Sequence, residues 1–413
     1  MTLYLVVGTV VFAASLASVQ SLGFLCTALI GLVLTSTLSL ATELPSIFLM
    51  KYLRLAITAA IAAYGLWLWL DRRHPLGRIA TLWLVAVGVF VLAGLWSDHP
   101  VRASLYKGLT MMLIFGGTMV GSQQRNLIET LENVRGIFVA YLVTISVIFL
   151  GFLGTGGFGA SLGRLSVFGI NAIGIGESAA FLVGASLVCI LTTRGAWKTT
   201  AWAAMGLSIL VILLTGSRGA AVGAVVFTVV CLAPSLKRSL APLMALTAIC
   251  VLIVFLLPDQ ATSGSVSRMS NLDVGDRSGF WYHHLEKFYA HPFIGVGWHS
   301  QDLYGQLSWG QTHSVYVSVL VESGIVGGLP WLIFMAVFAQ YVVTWTLRDR
   351  LRQDLSAYLG AFCFGLVAYF AFKGLIESGP IFGTTPFPFL VSYAIGTLSR
   401  AEAVGREPAG ASW

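Results

Sequence analysis

Charge is scarce in this sequence. Its 413 residues hold 24 Lys and Arg and 17 Asp and Glu, only 10% charged, against about 25% in an ordinary soluble domain. A soluble enzyme of this size needs a charged shell that these residues cannot supply, so that class is excluded. With 57% hydrophobic residues, intrinsic disorder is excluded as well. Cysteine is sparse and unpatterned. Cys26, Cys189, Cys231, Cys250 and Cys363 lie in apolar runs without C-x-x-C spacing, so they read as small core residues and not as disulfides or metal ligands. An Asp-x-Asp motif is lacking, as is any His or carboxylate set at metal spacing, and no metal or other cofactor is expected. The N-terminus lacks the basic flank and small-residue cleavage site of a secretory signal, so the first apolar run is expected to stay on the protein. Short alternating strands, the mark of a membrane barrel, are missing too.

What is present is long apolar runs, such as 202–214 and 240–257, and a mean hydropathy of +0.85. A transmembrane helix takes about 20 apolar residues, and by that rule the chain holds about 12–13 spans. They fall near 3–19, 21–40, 53–70, 79–96, 105–120, 136–155, 172–191, 199–214, 217–235, 239–257, 313–346, 355–376 and 381–399. The fold class is an all-α polytopic membrane protein, and the bilayer is its main solvent. The expected organisation is N-terminal transmembrane helices over 1–257, an outer loop over 258–312, C-terminal helices over 313–400 and a tail over 401–413.

The net charge of +7 is a topology signal here, not a sign of nucleic-acid binding. Arg72, Arg73 and Arg78 share one connection. Arg125 with Arg135, Arg194 with Lys198, Lys237 with Arg238, and Arg348, Arg350 and Arg352 share others, and Arg400 and Arg406 lie in the tail. With these spans all fall on one side, which the positive-inside rule makes cytoplasmic. The opposite side receives 97–104, 155–171, 215–218, 258–312 and 377–380. The connection over 258–312 carries His283, His284, His291 and His299. Within it, Trp281, Leu285 and Phe288 recur at helical spacing after Asp276, which is placed to cap an amphipathic helix over 277–290 lying at the outer membrane surface.

The polar residues on that outer side need explaining. They are Arg164 and Asn171, Arg218 in Thr215-Gly-Ser-Arg-Gly219, Arg277, His313, and Lys373 with Glu377 at i, i+4. Each has an ordinary alternative: Arg164 snorkelling to the interface, Arg277 as a solvated loop charge, Lys373 and Glu377 as a local ion pair, His313 as an interfacial histidine. Together they form a polyanion site. Guanidinium forks match phosphate oxygens, a diphosphate on a membrane lipid is the polyanion found there, and His313 is a base for neutral pH. Glu322 is nine residues from His313, on the opposite helix face, and is expected to bond a neighbouring helix or backbone. Gly324, Gly327 and Gly328 are expected to let the His313 helix approach its neighbours.

These residues resemble the O-antigen ligase and polymerase superfamily of bacterial membrane proteins. The strongest match is His313-Ser-Val-Tyr-Val-Ser-Val-Leu-Val-Glu-Ser-Gly324-Ile-Val-Gly327, which fits the ligase-type pattern of His, then Asn, Ser or Gln, nine residues, Gly, two residues, then Gly, Thr or Tyr. Arg277-Ser-Gly-Phe-Trp281 followed by His291-Pro-Phe-Ile-Gly-Val-Gly297 is similar to the family's Arg and His-Pro-Leu-x-Gly-Val-Gly stretch, with Phe293 in place of Leu. Thr215–Gly219 matches its Ser-Arg-Gly element, Trp96-Ser-Asp-His-Pro100 an N-terminal element, and Arg164 to Asn171 an Arg…Asn segment. The resemblance covers about residues 95–330. It implies a metal-independent integral-membrane glycosyltransferase of the bacterial inner membrane, with its active site facing the periplasm. Its donor would be a glycan on undecaprenyl diphosphate and its acceptor lipid A–core or another glycan. Arg218 and Arg277 would be diphosphate-binding and His313 would activate the acceptor hydroxyl. Arg164, Asn171, Lys373 and Glu377 are candidate substrate-binding residues. A polymerase joining lipid-linked repeat units fits the same motifs. A transporter of lipid-linked oligosaccharide would need paired broken helices and mid-membrane charge, and neither is evident.

Overall fold

The computed structural model describes residues 25–26, 28–33, 35, 47–97, 100–155, 172–235, 275–297, 314–348, 354–376 and 385–404. Among them there is no strand. The helices are α1 (Ile47–Arg72), α2 (Arg78–Leu92, extended by a 3-10 turn Ala93–Trp96), α3 (Pro100–Ser122), α4 (Leu127–Thr155), α5 (Ala172–Thr192), α6 (Ala196–Thr215), α7 (Arg218–Leu232), α8 (Gly275–Ala290), α9 (Val315–Arg348), α10 (Leu355–Ile376) and α11 (Pro386–Val404). Seven helices among the described residues are long and apolar enough to cross a membrane: α1, α2, α4, α5, α6, α9 and α10. The protein is an all-α, multi-pass membrane protein. α3 and α11 occupy the spans expected near 105–120 and 381–399, and α7 is a shorter apolar helix. The expected spans near 3–19 and 239–257, and most of that near 21–40, lie outside the described residues. Large apolar side chains such as Trp67, Leu70, Leu213 and Leu332 are exposed, as lipid-facing side chains are in a membrane protein.

Two compact units form. The first comprises Met1–Ile57, Asn126–Leu272 and Arg350–Tyr369. Its centre is Phe227, fully buried, with its ring 6.1 Å from Phe181, 6.1 Å from Phe362 and 5.9 Å from Tyr369. Tyr141 meets Phe181 at 5.4 Å. Gly184 and Gly365 leave the room that the Phe227 ring fills. At one end of this unit Arg135 lies over the Trp197 ring, close in sequence to Arg194 and Lys198.

The second unit comprises Thr58–Arg125, Asp273–Asp349 and Phe370–Trp413. α3 and α11 pack most closely within it. A Cβ built at Gly117, Gly121 or Gly396 would collide with the backbone carbonyl of Phe389, Tyr393 or Thr118. The Gly-x-x-x-Gly spacing of 117 and 121 puts both on one helix face and lets the backbones touch. Beside this seam Trp83, 1% exposed, packs on Phe334 at 5.1 Å, Trp331 at 5.6 Å and Phe370 at 5.8 Å, and donates its Nε1–H to Ser392 Oγ at 3.0 Å.

The unit has two chemically different ends. At one, Arg72 donates to Gln123 O, and Gln123 exchanges hydrogen bonds of 2.9 Å with the backbone of His74. Arg125 pairs with Asp71 at 3.9 Å, and Ser399 Oγ accepts from Ala80 N. Arg72 and Arg125, two of the basic residues expected on one side, thus lie at one end of this unit. The other end holds Trp96, Ser97, residues 292–297 and Ser314.

Three local expectations are corrected. α8 begins at Gly275, so Asp276 sits inside its first turn instead of capping it. The single span expected over 313–346 is two helical pieces, because Gly324 is non-helical at φ 60°, ψ −158°. The Cβ that Gly327 or Gly328 lacks would first strike Ser323 or Leu320 of the same helix, with Val89 of α2 3.9 Å from the Gly327 position, so these two glycines chiefly serve the break in α9. Cys26, Cys189, Cys231 and Cys363 are buried free thiols, as expected of core residues; Cys250 lies outside the described residues.

Candidate active site

The His-Pro-Phe-Ile-Gly-Val-Gly stretch and the helix after His313 are locked together. An intact α9 would bond Ile325 N to Val321 O and Val326 N to Glu322 O. Gly324 interrupts that ladder, and residues 292–297 take its place. Val321 O accepts from Val296 N at 2.9 Å and Glu322 O from Gly297 N at 3.0 Å; Ile325 N donates to Pro292 O at 2.8 Å and Val326 N to Phe293 O at 3.0 Å. Four bonds between segments stand where two helical bonds would be. Only glycine readily holds the backbone of residue 324, and a Cβ there would collide with the Phe293 carbonyl and come within 2.6 Å of Gly295 N. Gly295 and Gly297 have φ of 70° and 77°, so this turn is also glycine-dependent.

The N-terminal element joins the same cluster. Trp96 Nε1 donates to Ile294 O at 3.1 Å, and a Cβ on Gly297 would lie 2.8 Å from the Ser97 backbone. Next to the break, Glu322 Oε2 pairs with Lys107 Nζ at 2.8 Å, with side-chain exposures of 14% and 1%. Lys107 also donates to Phe90 O at 3.2 Å and lies 3.9 Å from the centre of the Phe90 ring. Glu322 therefore bonds a neighbouring helix, as its helix face suggested. Its partner was missed. A lone cation in the apolar stretch of α3 and a lone acid in α9 were the available signal, since intramembrane charges seldom stand alone.

At its other end the first piece of α9 is held by α10. Ser314 caps it, its Oγ accepting from Val317 N at 3.5 Å and donating to Gly374 O at 3.2 Å. Tyr316 OH donates to Ala371 O at 3.0 Å. Lys373, adjacent to Gly374, is 4% exposed with its Nζ 5.6 Å from the Phe387 ring centre. Lys373 thus lies in the same unit as the start of α9 and beside the residue that Ser314 bonds. His313 and Glu377 lie outside the described residues. Arg277 is the third residue of α8, whose Trp281, Leu285 and Phe288 are half-buried, while Tyr282 and Tyr289 are exposed. α8 packs against α9.

Arg218 lies in the first unit, in a tight helix–turn–helix. α6 ends at Thr215, Gly216 takes the left-handed conformation at φ 59°, and Ser217 caps α7 by accepting from Ala220 N at 3.4 Å. Arg218 is the first residue of α7. Gly216 is required because few other residues adopt this backbone. The turn rests on α5, where a Cβ on Gly176 would come 2.8 Å from Ser217 Cβ and 3.0 Å from Ala220 Cβ. α5 begins immediately after Asn171, which lies with Arg164 outside the described residues.

Residues 179–332 match the family model described as O-antigen ligase. The match agrees with the resemblance of the motifs to the O-antigen ligase and polymerase superfamily. The matched stretch runs from within α5 into the second piece of α9. It takes in Arg218, Arg277, His313 and the whole four-bond junction at Gly324; Arg164, Asn171, Lys373, Glu377 and Lys107 fall outside it. No curated protein matches the chain.

Proposed function

We propose that this membrane enzyme of the ligase and polymerase type transfers a glycan from undecaprenyl diphosphate to lipid A–core or another glycan acceptor on the periplasmic face of the bacterial inner membrane. The observation that carries the reading is the junction at Gly324. It fixes the His291–Gly297 stretch to the helix that follows His313, and so brings two motif segments of the matched stretch together.

The chemistry asks for two things. Negative charge develops on the leaving diphosphate and must be met by fixed cations. Arg218 and Arg277 supply guanidinium groups for it, at the start of α7 and in the first turn of α8, where backbone N–H groups are also free of helical partners. The acceptor hydroxyl must lose a proton as it attacks the anomeric carbon, and His313 takes it. The new glycosidic C–O bond forms as the bond to the diphosphate breaks. Undecaprenyl diphosphate leaves, and the proton on His313 returns to solvent. Arg164, Asn171, Lys373 and Glu377 are assigned to substrate binding, and no metal is used. The orientation rests on the positive-inside pattern of the basic connections, of which Arg72 and Arg125 lie at the end of the second unit opposite Trp96 and Ser314.

The test supplies purified protein with undecaprenyl-diphosphate-linked repeat units, with and without lipid A–core. Transfer that requires the core identifies a ligase, and chain growth without it a polymerase. In cells, His313→Ala, Arg218→Ala and Arg277→Ala are each expected to abolish glycan display at normal protein level. Normal display by all three overturns the proposal.

A further inference from the structure

A buried ion pair is costly to form in a membrane, and replacing it with apolar side chains of similar size is often neutral for stability. Lys107 and Glu322 therefore call for an explanation other than holding the fold together. Each is the eighth residue of its helix, roughly 10 Å along α3 or α9 by helical rise. The ammonium is fully used: one hydrogen bond to the Glu322 carboxylate, one to Phe90 O, and its remaining face against the Phe90 ring. Glu322 is bound through both its parts. Its side chain takes Lys107, while its backbone carbonyl takes Gly297 N from the His-Pro segment. One residue thus ties α3, α9 and the 292–297 turn at the point where α9 is broken.

The consequence lies upstream. The piece of α9 from Val315 to Ser323 is short, about 13 Å by helical rise. Ser314 anchors its beginning to α10, and Glu322 anchors its end. The segment carrying His313 is bounded by Gly297 and Ser314, and each of these is fixed by one of those anchors. We propose that Lys107 and Glu322 are positioning residues for glycan transfer: they pin the broken end of the short helix that begins just after His313 in the sequence. This deepens the assignment of His313 as the base and rests on it.

A misplacement of about 1 Å at a reacting group costs on the order of 100-fold, so the effect falls on turnover. With undecaprenyl-diphosphate-linked repeat units and lipid A–core as probes, Glu322→Gln and Lys107→Met are expected to lower kcat about 10- to 100-fold, leaving the donor KM within about twofold. Lys107→Arg keeps the charge and the donors and is expected to retain kcat within about threefold. The double variant Lys107→Met/Glu322→Gln leaves no lone buried charge and is expected to accumulate normally, yet to show the same kcat loss. His313→Ala with wild-type transfer overturns the functional reading itself. If His313→Ala is inactive while the folded double variant turns over at the wild-type rate, the positioning role is overturned and the functional reading stands.

Discussion

Replacing Gly324 with Ala tests the junction directly. The backbone at φ 60°, ψ −158° lies in a region open essentially to glycine, and holding another residue there costs about 1–3 kcal/mol. The added methyl would also collide with the Phe293 carbonyl, so the turn cannot stay in place. The alternative is for α9 to straighten. Ile325 N and Val326 N would then return to Val321 O and Glu322 O, two helical bonds replacing the four that join the segments. Two net bonds are lost, at about 0.5–1.5 kcal/mol each. Strain and straightening are alternatives, so the variant follows the cheaper, and the junction loses roughly 1–3 kcal/mol either way. That is about one to two decades in the local opening equilibrium. Amide exchange followed by mass spectrometry should show Val296 and Gly297 losing about 10- to 100-fold of their protection, while the buried amides around Phe227 in the first unit keep theirs. Wild-type protection at Val296 and Gly297, with wild-type glycan transfer, would refute the argument that glycine is required there.

Other outcomes follow from contacts described above. Ser217→Ala removes the cap of α7 and is expected to cost about 0.5–1 kcal/mol, seen as a small drop in the thermal midpoint in detergent. Gly176→Leu drives a large side chain into the Ser217 turn and should abolish transfer by displacing Arg218; normal turnover at normal protein level would contradict the contact. Phe227→Ala empties the centre of the first unit and should cost about 3–5 kcal/mol, read as loss of folded protein on extraction. Trp83→Phe leaves Ser392 Oγ without its buried donor and is expected to cost about 1–3 kcal/mol, measured by thermal unfolding.

Helical membrane architecture was legible because it rests on apolar runs, which any stretch of sequence carries by itself. The Arg218 turn was legible for a similar reason, since Gly216 and Ser217 punctuate two apolar runs locally. The break at Gly324 was not. Residues 313–346 read as one continuous apolar span, and what interrupts it is a segment some thirty residues earlier. Lys107 and Glu322 are separated by 215 positions, so no local pattern links them. Glycine could be recognised as a device for close approach at 327 and 328, but its target could not, because that depended on the unseen break.

The close fit of α3 and α11 bears on how the protein is made. The glycine face of α3, at 117 and 121, is met by α11 through the carbonyls of Phe389 and Tyr393. During synthesis α3 enters the bilayer long before α11 is translated, and until then that face can meet only lipid or a transient escort. Trp83 likewise waits for Ser392 to accept its indole N–H. The second unit therefore closes once α11 has been made, and not when the early spans insert.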